Sequence, residues 1–77
     1  MINAAYGVPG IDREGGERLR KRLLKLSGVR DVTVWPSEQQ IDVYYDPAVV
    51  SPAALEDRMR QLGYMPKHIP WKQRTPG

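Results

Sequence analysis

Two apolar stripes at helical spacing, each closed by a glycine, bracket a stretch in which apolar residues alternate. Leu19, Leu23 and Leu26 fall at i, i+4 and i+7 ahead of Gly28, and Leu55, Met59 and Leu62 repeat the pattern ahead of Gly63. Between them the period switches to two, through Val32 and Val34 and then Ile41, Val43 and Tyr45. A period near 3.6 marks one face of a helix, and strict alternation marks one face of a strand. The chain must therefore pack two single-faced helices against a sheet with one apolar face, because none of these elements can bury itself alone.

The residues flanking the stripes supply starts and stops. Asp12 is a candidate N-cap for a helix running to about Ser27, with Glu14 and Glu17 in its first turns, where the positive end of the dipole favours carboxylates. Gly28 is its expected left-handed stop. Ser51-Pro52 reads as an N-cap followed by proline at the first position of a second helix, which Gly63 ends. Residues 2–8 read as a strand with Ile2, Ala4, Tyr6 and Val8 on one face, terminated by Pro9-Gly10. Second and third strands span roughly residues 30–35 and 40–45, and pairing Val34 with Val43 and Val32 with Tyr45 keeps inward side chains inward. A last short strand is expected from Tyr64, confined to an edge because Pro66 and Pro70 lack a ladder donor. The order predicts an α+β fold, the ferredoxin-like βαββαβ sandwich, with a four-stranded antiparallel sheet and two helices on one face. Many unrelated activities use that sandwich, so it licenses none by itself.

Composition narrows the function classes. At 77 residues the chain is one small domain, and such a domain buries only about 60% of its unfolded surface, so its stability rests on a thin core. No apolar run is long enough for a membrane span or a signal peptide, and cytoplasm is the default location. The absence of cysteine removes disulfides, thiolate ligands and thiol nucleophiles together. An enzyme is not expected, since the chain has one histidine and three scattered serines, two of them at helix ends, and no nucleophile has a base at reach. Gly15-Gly16 is too little for a phosphate loop. The domain is expected to fill residues 1–69, and residues 70–77 to form a flexible, basic, proline-containing tail.

The run Leu23, Leu26, Gly28, Val29, the corner Tyr45-Asp46-Pro47 and the pair Gly63-Tyr64 together resemble the heavy-metal-associated domain of soft-metal chaperones and metal-pumping ATPases. The resemblance covers residues 2–69 and implies a setting in heavy-metal or cation transport. In that family a glycine and a methionine precede a Cys-x-x-Cys pair at the start of the first helix, and its thiolates hold a soft ion such as Cu(I), which oxygen ligands do not suit. Aligned on the first helix, the cysteine positions fall on Asp12 and Gly15; aligned on Val8 and Gly10, they fall on Arg13 and Gly16. Neither register holds a soft ligand. The resemblance thus implies the scaffold without its thiolate site, and neither a metal nor a cofactor is expected. Binding through other side chains is a weaker alternative: Asp12, Glu14 and Glu17 sit where carboxylates serve a helix dipole, and Met65 and His68 read as packing and solvated side chains. A hard ion also needs several converging oxygens.

The basic residues carry the sharper signal. Arg18, Lys21, Arg22 and Lys25 fall at i, i+3, i+4 and i+7 of the first helix, away from its leucine stripe. A solvated charged face is the ordinary reading of such a stripe, but like charges at i and i+4 repel, so the stripe costs local stability. Chaperones of the family that dock on acidic target domains also carry basic residues on this helix. The expected role is therefore that of a docking or regulatory module whose partner is an acidic protein surface, such as that of a transporter. The alternative is single-stranded nucleic acid stacked on Trp35 and Tyr44 of the open sheet face, as RNA-recognition modules of this topology do. There the basic helix and the aromatic face do not converge, and a basic patch alone is insufficient.

Overall fold

In the computed structural model, which describes residues 1–69, the chain runs β1 (Ile2–Gly7), α1 (Arg13–Leu24), β2 (Val29–Trp35), a 3-10 turn (Pro36–Glu38), β3 (Gln40–Tyr45), α2 (Pro52–Gln61) and β4 (Lys67–His68). The strands form one antiparallel sheet in the order β2-β3-β1-β4. Leu19 and Leu23 of α1 and Leu55 and Met59 of α2 share one buried cluster with Tyr6, Val32, Ile41 and Val43 of the sheet, so both helices cover the same face. This is the expected ferredoxin-like sandwich. The tail expected over residues 70–77 lies outside the described residues. Among the described residues no helix is long and apolar enough to cross a membrane.

Both helix starts are capped as their sequences direct. The Asp12 carboxylate accepts the Gly15 N–H at 2.6 Å and the Ser51 hydroxyl accepts the Ala54 N–H at 3.2 Å, each satisfying a donor with no partner inside the helix. The ends differ. After α2, the Gly63 N–H donates to Arg60 O at 2.9 Å and the Tyr64 N–H to Met59 O at 3.1 Å, with Gly63 at φ 93°, which is a Schellman stop. Helix α1 ends at Leu24, short of the Ser27 expected. Its last turn tightens to i→i−3 bonds, Lys25 N–H to Arg22 O at 3.3 Å and Leu26 N–H to Leu23 O at 3.0 Å, a common way to satisfy terminal carbonyls. Gly28 still turns the chain, at φ 94°, but beyond the helix proper.

Two expectations about the sheet need correction. Val34 pairs with Ile41 and Val32 with Val43, a slip of two residues from the register expected. An even slip preserves which face each side chain occupies, so the inward pattern could not distinguish the two registers. The tight connection decides it: Gln39 adopts the left-handed conformation at φ 54° and donates its N–H to Pro36 O at 3.1 Å, leaving Trp35 opposite Gln40. A bulge between Val29 and Asp31 shifts the pairing by one further residue and so returns Val29 to the core opposite Tyr45, as an extra residue in one strand does. Strand β4 begins at Lys67 rather than Tyr64, because Tyr64 completes the stop of α2 and Pro66 has no N–H to offer the ladder.

Candidate functional site

Residues 8–12 connect β1 to α1 and correspond to the loop that holds the metal in the family resembled. Val8 and Ile11 bury their side chains at either end, and the Ile11 N–H donates to Val8 O at 3.2 Å. Gln39, reaching across from the β2–β3 connection, secures the rest. Its carbonyl accepts the Val8 N–H at 2.7 Å, its Oε1 accepts the Gly10 N–H at 2.5 Å, and its Nε2 donates to Ile11 O at 2.6 Å. One residue thereby satisfies three backbone groups of a loop that has no ladder partners, and side-chain bonds of this kind fix a loop conformation.

The two glycines that open α1 are packed against neighbours. A Cβ on Gly15 would collide with the Tyr64 hydroxyl oxygen and lie 2.9 Å from the Asp12 carboxylate, and a Cβ on Gly16 would lie 2.6 Å from Val34 Cγ1. In either alignment the second cysteine position is thus a glycine whose side-chain space is filled. The first position is Asp12, whose carboxylate caps the helix, or Arg13, an exposed cation. A soft ion finds neither thiolate nor thioether nor imidazole there, so the residues present do not fit such an ion. Among the described residues no three of His, Cys, Asp and Glu converge. Met65 is exposed, and the His68 ring lies 5.4 Å from that of Tyr6.

Tyr6 is the one buried side chain among the described residues whose polar atom has no hydrogen-bond partner there. Burial first, with the charge of Glu56 and the neighbouring Tyr45 adding to it, pushes its hydroxyl far above the ordinary tyrosine range. Both effects disfavour the phenolate. A group so placed is a structural liability and no acid or base for chemistry near neutral pH.

Arg18, Lys21, Arg22 and Lys25 are all exposed, and none engages in an ion pair among the described residues. Their neighbour Arg20 differs, its guanidinium lying 3.1 Å from Glu17. The four cations run for about 10 Å along α1 and its C-cap, Lys25, at 1.5 Å per residue. On the open sheet face Trp35 and Tyr44 are 45% and 41% exposed, but the structure does not bring them together. Trp35 faces Gln40, and Tyr44 lies four residues further along β3, about 13 Å away at strand spacing. Asp42 stands between them and bonds to the Gln40 amide at 3.1 Å. With Val34 opposite Val43, as expected, Trp35 would lie diagonal to Tyr44; the two-residue slip in register separates them.

Gln39 and Tyr64 did not emerge as site residues from the sequence. A signal existed for Tyr64: two adjacent glycines in a first helical turn sacrifice about 0.5–1 kcal/mol each relative to alanine, which points to a close approach. Gln39 carries no such mark, because glutamine rarely adopts a left-handed backbone.

Comparison with known proteins agrees with this geometry. Residues 16–65 match the model of the heavy-metal-associated domain. Among solved structures the fold is similar to a copper binding domain from HMA7, a P-type ATPase, with a TM-score of 0.87 and 18% identity over 97% of this chain and 100% of that one. It is also similar to oxidized MerP from Ralstonia metallidurans CH34, with a TM-score of 0.80 and 25% identity over 86% and 93% of the two chains. The N-terminal domain of a potential copper-translocating P-type ATPase from Bacillus subtilis in the Cu(I)-loaded state gives a TM-score of 0.81 and 28% identity over 87% and 85%. No curated protein sequence matches the chain significantly.

Proposed function

The chain belongs to the heavy-metal-associated domain family, and we propose that it is a non-catalytic, cytoplasmic member that docks on an acidic protein surface without carrying a metal. The observation that supports this most is the pairing of two features on one helix. The start of α1 offers no soft ligand and fills the side-chain space of Gly15 and Gly16, while its outer surface presents Arg18, Lys21, Arg22 and Lys25 with no ion-pair partner among the described residues. Unpaired cations on a rigid helix steer and orient an anionic surface even where each contributes little affinity. Similarity to domains of P-type ATPases supports a setting in cation transport.

The test is capture of partners by the unmodified chain and by the fourfold reversal R18E/K21E/R22E/K25E, with captured proteins identified by mass spectrometry. Acidic proteins retained by the first and lost by the second, with both folded, support docking. Titration with Cu(I), Zn(II) and a pool of short RNAs on the same preparation separates the alternatives. Stoichiometric metal uptake, or RNA binding abolished by Tyr44→Ala and Trp35→Ala, contradicts the reading.

A further inference from the structure

We propose that the free edge of β2 pairs with the same edge of a second copy of this chain, antiparallel and about a two-fold axis at Thr33. This goes beyond the docking reading and uses a different part of the molecule. Strand β2 ends the sheet, in the order β2-β3-β1-β4, whereas the cations of the docking reading lie on α1 and its C-cap.

Alternation decides which backbone groups face outward. The Asp46 N–H donates to Gly28 O at 2.8 Å, and along an antiparallel strand every second residue bonds to the same neighbour. Tyr44, Asp42 and Gln40 therefore bond to β2, through Asp31, Thr33 and Trp35 opposite them. The backbone groups of Val32 and Val34 are left facing the edge. The Val32 N–H donates to the Asp31 carboxylate at 2.9 Å, in place of a neighbouring strand. Val32 O and the N–H and O of Val34 have no hydrogen-bond partner among the described residues. The bulge lies before Asp31 and the next proline is Pro36, so neither of these common edge defences interrupts the stretch between, and such an edge is a template for another strand.

The edge is complementary to itself in one register. A two-fold axis at Thr33 sets Val32 opposite Val34 of the second copy and Val34 opposite its Val32, so each valine exchanges both backbone bonds with the residue facing it. On the open sheet face Thr33 then meets Thr33 of the second copy, a favourable β-branched pair. Asp31 meets the exposed Trp35 of the second copy, and no like charges are opposed. An axis at Val32 would set Val34 against Arg30, inside the bulge. An axis at Val34 would set Val32 against Pro36, which has no N–H. Pairing requires Asp31 to release the Val32 N–H, so its carboxylate competes with the second copy and keeps the dimer weak.

The experiment is analytical ultracentrifugation of the full chain from micromolar to millimolar concentration, which is expected to show a monomer–dimer equilibrium. Asp31→Ala, at an exposed position, frees the Val32 N–H and should tighten the dimer about tenfold, the worth of one hydrogen bond. Thr33→Lys and Thr33→Glu, also at an exposed position, should each remain monomeric, because like charges meet at the axis, while an equal mixture of the two should dimerise. Cooperative thermal unfolding of each variant checks that the fold is retained. A chain that stays monomeric at millimolar concentration, both unmodified and as Asp31→Ala, overturns the proposal. So does a dimer that Thr33→Lys leaves intact, or a mixture of the two charged variants that fails to pair. No partner protein enters the assay, so each of these failures leaves the docking reading standing.

Discussion

The Tyr64 hydroxyl occupies the space that a side chain on Gly15 would need. In one alignment with the family, Gly15 stands where a metal-binding thiolate belongs, so the position is filled from the far end of the chain as well as empty of sulfur. Inserting one methyl group there sets overpacking, about 1–3 kcal/mol, against the gain of about 0.5–1 kcal/mol from replacing a helical glycine. Gly15→Ala is expected to destabilise the fold, and in a Tyr64→Phe background to become neutral or stabilising. Urea unfolding of the two single variants, the double variant and the parent measures the coupling, which should reach about 1 kcal/mol. Simple additivity would show that the two residues do not compete for the same space.

Gln39 should be the residue that holds the β1–α1 loop. Gln39→Gly keeps the left-handed backbone free of strain while removing the bonds to Gly10 N–H and Ile11 O, a loss of about 1–3 kcal/mol in all at the usual worth of such bonds. Hydrogen exchange at the Gly10 amide is expected to accelerate sharply while the central strands β1 and β3 remain protected. Unchanged exchange at Gly10 would mean that the loop holds its shape without the clamp.

Much of the fold was legible in the sequence for local reasons. Asp12 and Ser51 sit directly before apolar stripes and cap the helices they precede, and the alternation through Ile41, Val43 and Tyr45 assigns the inward face of β3. What was not legible depends on closure between distant segments. Parity is the same in both hairpin registers, so Val34 opposite Ile41 had to be set by the backbone of Gln39 and the bulge before Asp31. The candidate site divides in the same way. The cations of α1 follow from helical spacing, whereas the contact of Tyr64 with Gly15 joins the end of α2 to the start of α1 and leaves only a glycine pair as its trace.

Tyr6 predicts an alkaline limit to stability. Its folded-state pKa is raised by burial above the ordinary value of 10.0, so the folded form keeps its proton where the unfolded chain has lost it. The stabilisation is therefore full below pH 10 and lost as pH rises from there toward the folded value. Thermal melts should show a falling midpoint above about pH 10, with a smaller residual effect from Tyr45, which burial also raises. Tyr6→Phe should flatten most of this dependence and, by removing a buried hydroxyl without a partner, be neutral or stabilising by up to about 1–3 kcal/mol near pH 7. Marked destabilisation of Tyr6→Phe at neutral pH would reveal a bond that the hydroxyl makes in solution.

Oligonucleotide binding, where it is detected at low salt, should follow the helix and not the sheet. Trp35→Ala and Tyr44→Ala are expected to change it less than twofold, since residues about 13 Å apart across an acidic side chain stack no adjacent bases. Reversal of the α1 cations should remove it, and raising the salt should weaken it steeply. A large loss on replacing either aromatic would restore the sheet face as a binding surface.

The most direct measurement is the affinity of the full chain for an acidic partner identified by capture, taken with and without a strong Cu(I) chelator, for the unmodified chain and for R18E/K21E/R22E/K25E. The account predicts binding that is indifferent to the chelator, weakens with salt as exposed charge pairs do, and disappears in the reversed variant while its thermal unfolding remains cooperative. Binding that persists after the reversal, or that requires Cu(I), would contradict it.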